Sequence, residues 1–324
     1  MASSLAIGVD VGGTKVAAGV VDAEGTILAR TRRPTPSSSA ADVERAIAEV
    51  VGELRADHEV ATVGIGAAGY VDAARATVLF APNLAWRNEP LRDEVTRLVD
   101  LPVVVENDAN AAAWAEYRFG AGQGESHLVC LTVGTGIGGG VVLDGELYRG
   151  RFGVGAEFGH MQMVAGGRLC GCGQRGCFEQ YCSGRALLKA AREIADVQKA
   201  VGARLLELGG GRPEGIEARH VTTAAQEGDA AALRCFDEIG RALGQGLATL
   251  AAALDPGCFV IGGGVAESRE LLLGPARREL EARLSGGDYR PHPEVRAAAL
   301  GNDAGLVGAA DLSRRGPIDV ARLG

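Results

Sequence analysis

Apolar residues come in short runs separated by turns, and the runs follow an order that starts twice. Residues 5–9, 16–21 and 26–30 read as three antiparallel strands, with D-A-E-G (22–25) turning the last pair. The loop R-P-T-P-S-S-S (33–39) follows, and its last serines can cap a helix that carries Val43, Ile47, Val50, Val51 and Leu54 at 3.6-residue spacing. Strands at 60–66 and 76–80, a helix at 89–99, a short buried strand at 103–106 and a helix at 108–119 complete this group. A second group opens with strands at 127–133, 139–143 and 146–149. It continues with helices near 183–196 and 229–254, a strand at 258–261 and a helix at 268–284, and a final helix starts at residue 302. The glycine and polar run at 209–219 reads as a surface loop. The repeated β-β-β, α, β, α order suggests a structural duplication with too little identity to prove a repeat. Two similar α/β lobes would place a cleft between them, where ligands commonly bind.

Composition narrows the class. With 324 residues, 47% of them hydrophobic, the chain can bury the cores of two domains. It has no run of 18 apolar residues to span a membrane. The start M-A-S-S-L-A-I-G lacks the basic and long apolar regions of a signal peptide. Thirty-three basic against 41 acidic residues leave a net charge of −8, which argues against the counterion release that drives nucleic-acid binding. Seven cysteines, an odd number, suit free thiols or a metal site in a cytoplasmic protein better than a disulfide framework. Glycine is abundant, and 19 of the 49 glycines fall within residues 120–184, so that stretch is where backbone must turn tightly or approach a ligand.

Two segments there and upstream match the dinucleotide pattern G-x-G-x-x-G, at 134–139 and 64–69. A dinucleotide fold needs a helix after the motif, and both matches run into β-like sequence instead. The glycines at 134–140 can still hold phosphate, because successive backbone N–H groups in a hairpin turn form an anion nest. D-V-G-G-T-K (10–15) is the corresponding loop of the first group. Gly12 and Gly13 leave the backbone open to phosphate, Thr14 and Lys15 can donate to its oxygens, and Asp10 can hold a hydrated Mg²⁺. A plain Asp-Gly β-turn is the alternative for this loop taken alone. A partner loop in V-G-T-G-I-G-G-G (133–140), with Gly134, Thr135 and Gly136 at its tip, favours a phosphate clamp.

His160, Cys170, Cys172 and Cys177 are spaced H-x₉-C-x-C-x₄-C, the donor set of a closed tetrahedral structural Zn²⁺ site. Cys130, Cys235 and Cys258 lie in apolar stretches and read as core, as do Trp86 and Trp114. In E-N-D-A-N (106–110) Asn107 and Asp108 join a strand to an alanine-rich helix, and from residues alone they read as helix caps at least as well as catalytic groups.

These motifs resemble the ROK family (repressors, ORFs and kinases) of the actin-like sugar-kinase superfamily, and the zinc pattern resembles its zinc-containing kinases. The resemblance runs from residue 5 to L-G-N-D-A-G-L-V-G-A-A (300–310) and is weakest over 195–220. It implies a two-lobed actin-like, ribonuclease H-like α/β fold with an interlobe cleft that closes over its ligands. The small lobe would be residues 1–112 plus 302–324 and the large lobe 113–301. It implies ATP and Mg²⁺ at the two glycine loops, with V-I-G-G-G (260–264) and its Gly262, Gly263 and Gly264 on the adenosine side. Asp108 matches the family's catalytic base. Asn107, Glu157, His160 and Glu179 match its sugar-binding residues beside Asp108, Gly69 would approach the sugar by its backbone, and Cys182 falls outside the zinc pattern. The implied activity is ATP-dependent phosphorylation of glucose to glucose 6-phosphate by a homodimer or homotetramer. Fructose, N-acetylmannosamine or N-acetylglucosamine as acceptor, and polyphosphate as donor, are the near alternatives. A sugar-responsive repressor is the distant one, since its helix-turn-helix would precede a loop that here begins at residue 10.

Overall fold

A computed structural model of the chain describes residues 5–36 and 39–316. Residues 1–4, Ser37, Ser38 and the 317–324 end of the expected small lobe lie outside the described residues. The first group of elements is β1 (Leu5–Val11), β2 (Lys15–Val21), β3 (Ile27–Pro34), α1 (Ala40–Arg55), β4 (Val60–Ala67), β5 (Tyr70–Val71), β6 (Val78–Phe80), β7 (Arg87–Glu89), α2 (Leu91–Val99), β8 (Val103–Asn107) and α3 (Asp108–Phe119). The second is β9 (Leu128–Val133), β10 (Ile137–Leu143), β11 (Glu146–Tyr148), α4 (Gly184–Val197), α5 (Ala203–Leu208), α6 (Ala218–Gln226), α7 (Ala230–Leu254), β12 (Cys258–Gly262), α8 (Glu270–Arg283), β13 (Glu294–Ala297) and α9 (Ala304–Arg314).

The two large sheets have the same design. One is ordered β3-β2-β1-β4-β8 and the other β11-β10-β9-β12-β13, so each places its third, second, first, fourth and fifth strands side by side. That shared order is the duplication the hydrophobic pattern suggested. In the first sheet β1 pairs antiparallel with β2 and parallel with β4, and β4 pairs parallel with β8. Strands covered on both faces need continuous apolar runs, and V-G-I-G-A and V-V-V supply them. The chain is therefore an α/β protein of the actin-like class. Its described residues form two compact units, one of residues up to 130 with 139–156 and 299 onward, the other of 131–138 and 157–298. The lobe boundary expected at residue 112 falls inside α3, all of which lies in the first unit.

Helix α1 begins at Ser39, whose hydroxyl accepts from Asp42 N at 3.2 Å, and it buries the five apolar positions the spacing identified. These pack with α2 residues Leu91 and Val95 over one face of the first sheet. The opposite face carries α9, seated closely enough that side chains would not fit. A Cβ on Gly8 would lie 1.9 Å from Leu306 O, and one on Gly64 1.8 Å from Ala309 O. Helix α3 meets α9 in the same way, and a Cβ on Gly308 would lie 1.8 Å from Ala111 O. Part of the glycine excess is therefore packing rather than loop. Buried Trp114 donates from Nε1 to Asp311 Oδ2 at 2.8 Å, and Trp86 is fully buried, so both are core residues.

Several places depart from the expected elements, among them α5 (Ala203–Leu208), which was not anticipated. The segment 209–219 is not loop throughout, because a 3-10 turn at Pro213–Gly215 leads into α6. Strands β5, β6 and β7 form a small antiparallel sheet of which only the 76–80 run was anticipated. Strand β13 was not anticipated. No helix among the described residues is long and apolar enough to cross a membrane.

Candidate active site

Within the first unit the candidate residues lie on a hairpin turn and at a strand-to-helix junction. Asp10 is the penultimate residue of β1, in register with Ala17 of β2 and Gly66 of β4. The turn after it is closed by Gly12 N donating to Lys15 O at 3.0 Å, and Thr35 braces it by donating from Oγ1 to Gly12 O at 2.7 Å. Gly13, Thr14 and Lys15 are exposed, as a phosphate-binding tip requires. Asn83 sits directly beside this tip, its Cβ 3.1 Å from where a Cβ on Gly13 would be.

At the β8–α3 junction the two sequence readings turn out to be compatible. Asn107 is the helix N-cap, its Oδ1 accepting from Asn110 N at 3.0 Å. Its Nδ2 donates to Gly69 O at 3.0 Å and to Asp108 Oδ1 at 3.2 Å. Asp108 Oδ1 also accepts from Ala109 N at 2.9 Å. The carbonyl of Gly69 thus meets Asn107. Burial pushes the Asp108 carboxyl up to about 6, with the charge of Asp10 adding to the shift and the bonds from Ala109 and Asn107 opposing it. Asp10 is also raised by burial, against the pull of Lys15. A carboxylate destabilised this way is a better proton acceptor near neutral pH than a solvated one.

Within the second unit are two glycine loops and two short 3-10 turns. Gly134, Thr135 and Gly136 form the turn from β9 to β10, with Gly134 N donating to Gly136 O at 3.0 Å and Gly184 N donating to Gly134 O at 2.7 Å. No helix follows 134–139, and 64–69 leads into β5, so neither match has dinucleotide-fold context. Gly262, Gly263 and Gly264 leave the end of β12 next to β9. Gly263 has φ 86°, and a Cβ there would lie 2.6 Å from Val133 O. Both loops therefore sit at the same end of the second sheet, where its neighbouring strands β9 and β12 finish.

Glu157 precedes the turn Phe158–His160, and Glu179 lies in the turn Phe178–Gln180. The two turns are held together by Phe178 N donating to Met161 O at 2.8 Å. Glu179 is half-buried rather than a solvated helix start, and a Cβ on Gly136 would fall 2.4 Å from its Oε2. Its Oε1 accepts from Gln180 Nε2 at 3.2 Å and from Cys170 Sγ at 3.1 Å. Glu179 thus touches both the cysteine loop and the Gly134–Gly136 turn.

His160, Cys170, Cys172 and Cys177 present donor atoms all within 4.8 Å of one another. Cys172 Sγ and Cys177 Sγ are 3.7 Å apart, and Cys170 Sγ is 3.7 Å from His160 Nδ1. A tetrahedral Zn²⁺ with bonds of about 2.3 Å to sulfur and about 2.0 Å to nitrogen sets ligand edges of roughly 3.5–3.8 Å. The four residues fit that ion. Cys182 is fully buried and its thiol is pushed up by burial alone. All seven cysteines are free of disulfides.

The ROK family profile matches residues 6–315. Glucokinase from Streptomyces coelicolor is 54% identical over 310 residues, covering 96% of this chain and 98% of that protein. Glucokinase from Thermotoga maritima is 40% identical, covering 94% and 96%. A crystal structure of a ROK family glucokinase from Streptomyces griseus, in complex with glucose and AMPPNP, superposes with a TM-score of 0.88 at 56% identity, covering 97% of this chain and 100% of that one.

Proposed function

The chain belongs to the ROK family, and on that premise we propose that it transfers the γ-phosphoryl group of ATP to glucose, giving glucose 6-phosphate. The observation that carries the reading is Asp108: a carboxyl raised to about 6, fixed by Asn107 at a helix start, in the same unit as the Asp10–Lys15 turn.

Asp108 Oδ1 is occupied by Ala109 N and Asn107 Nδ2, so Oδ2 takes the proton of the attacking sugar hydroxyl. The sugar oxygen forms its bond to the γ-phosphorus as the bond from phosphorus to the β,γ-bridging oxygen breaks, and the electron pair leaves with ADP. Positioning and charge neutralisation supply most of the acceleration in such transfers. The N–H groups of the Gly12–Gly13 and Gly134–Gly136 turns hold phosphate oxygens, with Thr14, Thr135 and Lys15. Gly262, Gly263 and Gly264 give room for adenosine. Mg²⁺, for which Asp10 is the hard oxygen donor, offsets charge on the phosphates when bound.

Asn107, Glu157, His160 and Glu179 hold the acceptor hydroxyls. His160 turns Nδ1 toward Cys170 Sγ, which leaves Nε2–H as the donor for sugar. His160, Cys170, Cys172 and Cys177 would hold Zn²⁺, and that closed coordination would fix the ring and the cysteine loop. The same proposal covers a homodimer or homotetramer in the cytoplasm, with light scattering as the check on assembly.

A coupled ADP-release assay across a sugar panel tests the reading, with ATP and polyphosphate compared as donors. Glucose with ATP is expected to give the highest kcat/KM. Weak turnover of glucose beside strong turnover of an N-acetyl sugar would overturn the acceptor assignment, and preference for polyphosphate would overturn the donor.

A further inference from the structure

Immediately before Asn107 and Asp108 stands a buried ionic cluster that takes no part in the chemistry above. Glu106 is 1% exposed, and Arg75 and Arg149 are each 6% exposed. Arg75 Nε donates to Glu106 Oε2 at 2.9 Å, and Arg149 Nε lies 2.8 Å from the same oxygen and donates to Oε1 at 3.0 Å. Two guanidinium groups share one carboxylate, so the cluster carries a net positive charge inside the first unit. Removing three such charges from water carries a large desolvation cost, and apolar residues of similar volume often serve stability as well or better. Stability alone is thus a weak reason for the cluster.

Its hydrogen bonds converge on the catalytic junction. Glu106 Oε1 also accepts from the backbone N–H of Asn107 at 2.9 Å and from Asn110 Nδ2 at 3.2 Å. It therefore grips both the residue before Asp108 and the first turn of α3. Arg149 extends the grip by donating to Ala73 O at 3.0 Å and Asp72 O at 2.9 Å. The Arg75 backbone accepts from Val105 N at 3.1 Å and closes the outer edge of β8, with Arg75 itself held at φ 54°. From Gly69, whose carbonyl receives Asn107 Nδ2, the chain runs directly into this braced 72–77 turn. The turn is stiffened by Ala76 N and Thr77 N, both donating to Asp72 Oδ1.

We propose that Glu106, Arg75 and Arg149 are positioning residues for phosphoryl transfer, a buried clamp that fixes the Asn107–Asp108 backbone and the Gly69 carbonyl against each other. The inference rests on the assignment of Asp108 as base. The clamp acts through Asn107 and Asp108 and touches no reacting atom. Displacing a reacting group by about 1 Å costs on the order of a hundredfold in rate.

The test replaces the whole cluster with apolar residues, Glu106→Leu with Arg75→Met and Arg149→Leu, so that no buried charge is stranded. Thermal unfolding and steady-state kinetics are measured on the same preparations. The expected result is an unfolding temperature at or above that of the parent, kcat lowered about 10- to 100-fold, KM for glucose raised and KM for ATP unchanged. A kcat within twofold of the parent in the folded variant would overturn the proposal and leave the cluster a packing feature. Should the triple variant fail to fold, Arg149→Lys decides by the same split. It keeps the charge but loses the forked contacts, and unchanged kinetics in it would equally overturn the clamp. Loss of the clamp reading leaves the activity of the parent on glucose untouched, whereas an inactive parent would remove the function itself.

Discussion

Asp108→Asn separates the role of the charge from the role of the shape. The asparagine Oδ1 can accept the bonds from Ala109 N and Asn107 Nδ2 that Asp108 Oδ1 now accepts. What disappears is an ionised group that burial and Asp10 disfavour, with a pKa raised from 3.8 to about 6. A shift of about two units at 1.36 kcal/mol each is roughly 3 kcal/mol. The sign follows from proton counting. In the unfolded chain the carboxyl loses its proton near pH 4, in the folded chain near pH 6, so between those values the folded state holds more protons. Stability of the parent therefore falls as pH rises through that window and stays reduced above it. The variant cannot ionise and escapes the fall. It is expected to be the more stable protein by up to about 3 kcal/mol at pH 8 and by less than about 1 kcal/mol at pH 4. Turnover is expected to drop about 10²- to 10⁴-fold, with glucose binding retained. Urea unfolding followed by tryptophan fluorescence at the two pH values, beside ADP release and calorimetric glucose binding, reads all three quantities. Equal or lower stability of the variant at pH 8 would refute the picture of a strained, buried base, and retained turnover would remove Asp108 from the mechanism.

Three further outcomes are expected. The ligand-free enzyme should show kcat/KM for glucose falling tenfold per pH unit below about pH 6, where Asp108 becomes protonated; a flat profile down to pH 5 would count against it. Cys172→Ser should lose zinc, measured by mass spectrometry of the metal, together with several degrees of unfolding temperature, and a zinc-free variant as stable as the parent would refute the structural-zinc reading. Gly64→Ala should cost at least about 1–3 kcal/mol, because α9 must lift from β4 to admit the methyl group. An unchanged unfolding midpoint would show that the helix is not held there.

The hairpins, the parallel strands and the chemistry-bearing loops were legible because each is specified locally. Val43, Ile47 and Val50 mark one helix face by spacing alone, and Gly12–Gly13 and Cys170–Cys172 advertise tight turns. The segment from 195 to 226 was less legible, because short helices such as α5 and α6 offer only about two turns of periodicity beside their glycines. Strands of two or three residues, as in β5 and β7, offer none. At the site, the spacing of His160 and the three cysteines identified a metal set, but not that Glu179 would lie against Cys170 and Gly136. Glu106 looked like the end of an apolar strand. Its partners are 31 and 43 residues away, and only the folded chain brings both arginines onto one carboxylate.

The seat of α9 on Gly8 and Gly64 also sets an order of events during synthesis. Strand β1 leaves the ribosome among the first residues, yet the helix that covers it is encoded in the last part of the described chain, about 300 residues later. At roughly 5–20 residues per second that is a delay of about 15–60 seconds. Throughout it the inner face of the first sheet waits without its cover. The second unit is drawn mostly from one continuous stretch, 157–298, and can complete its core before α9 exists. A nascent chain stalled before residue 300 would lack α9 and leave the Gly8 and Gly64 face of the first sheet exposed to chaperones.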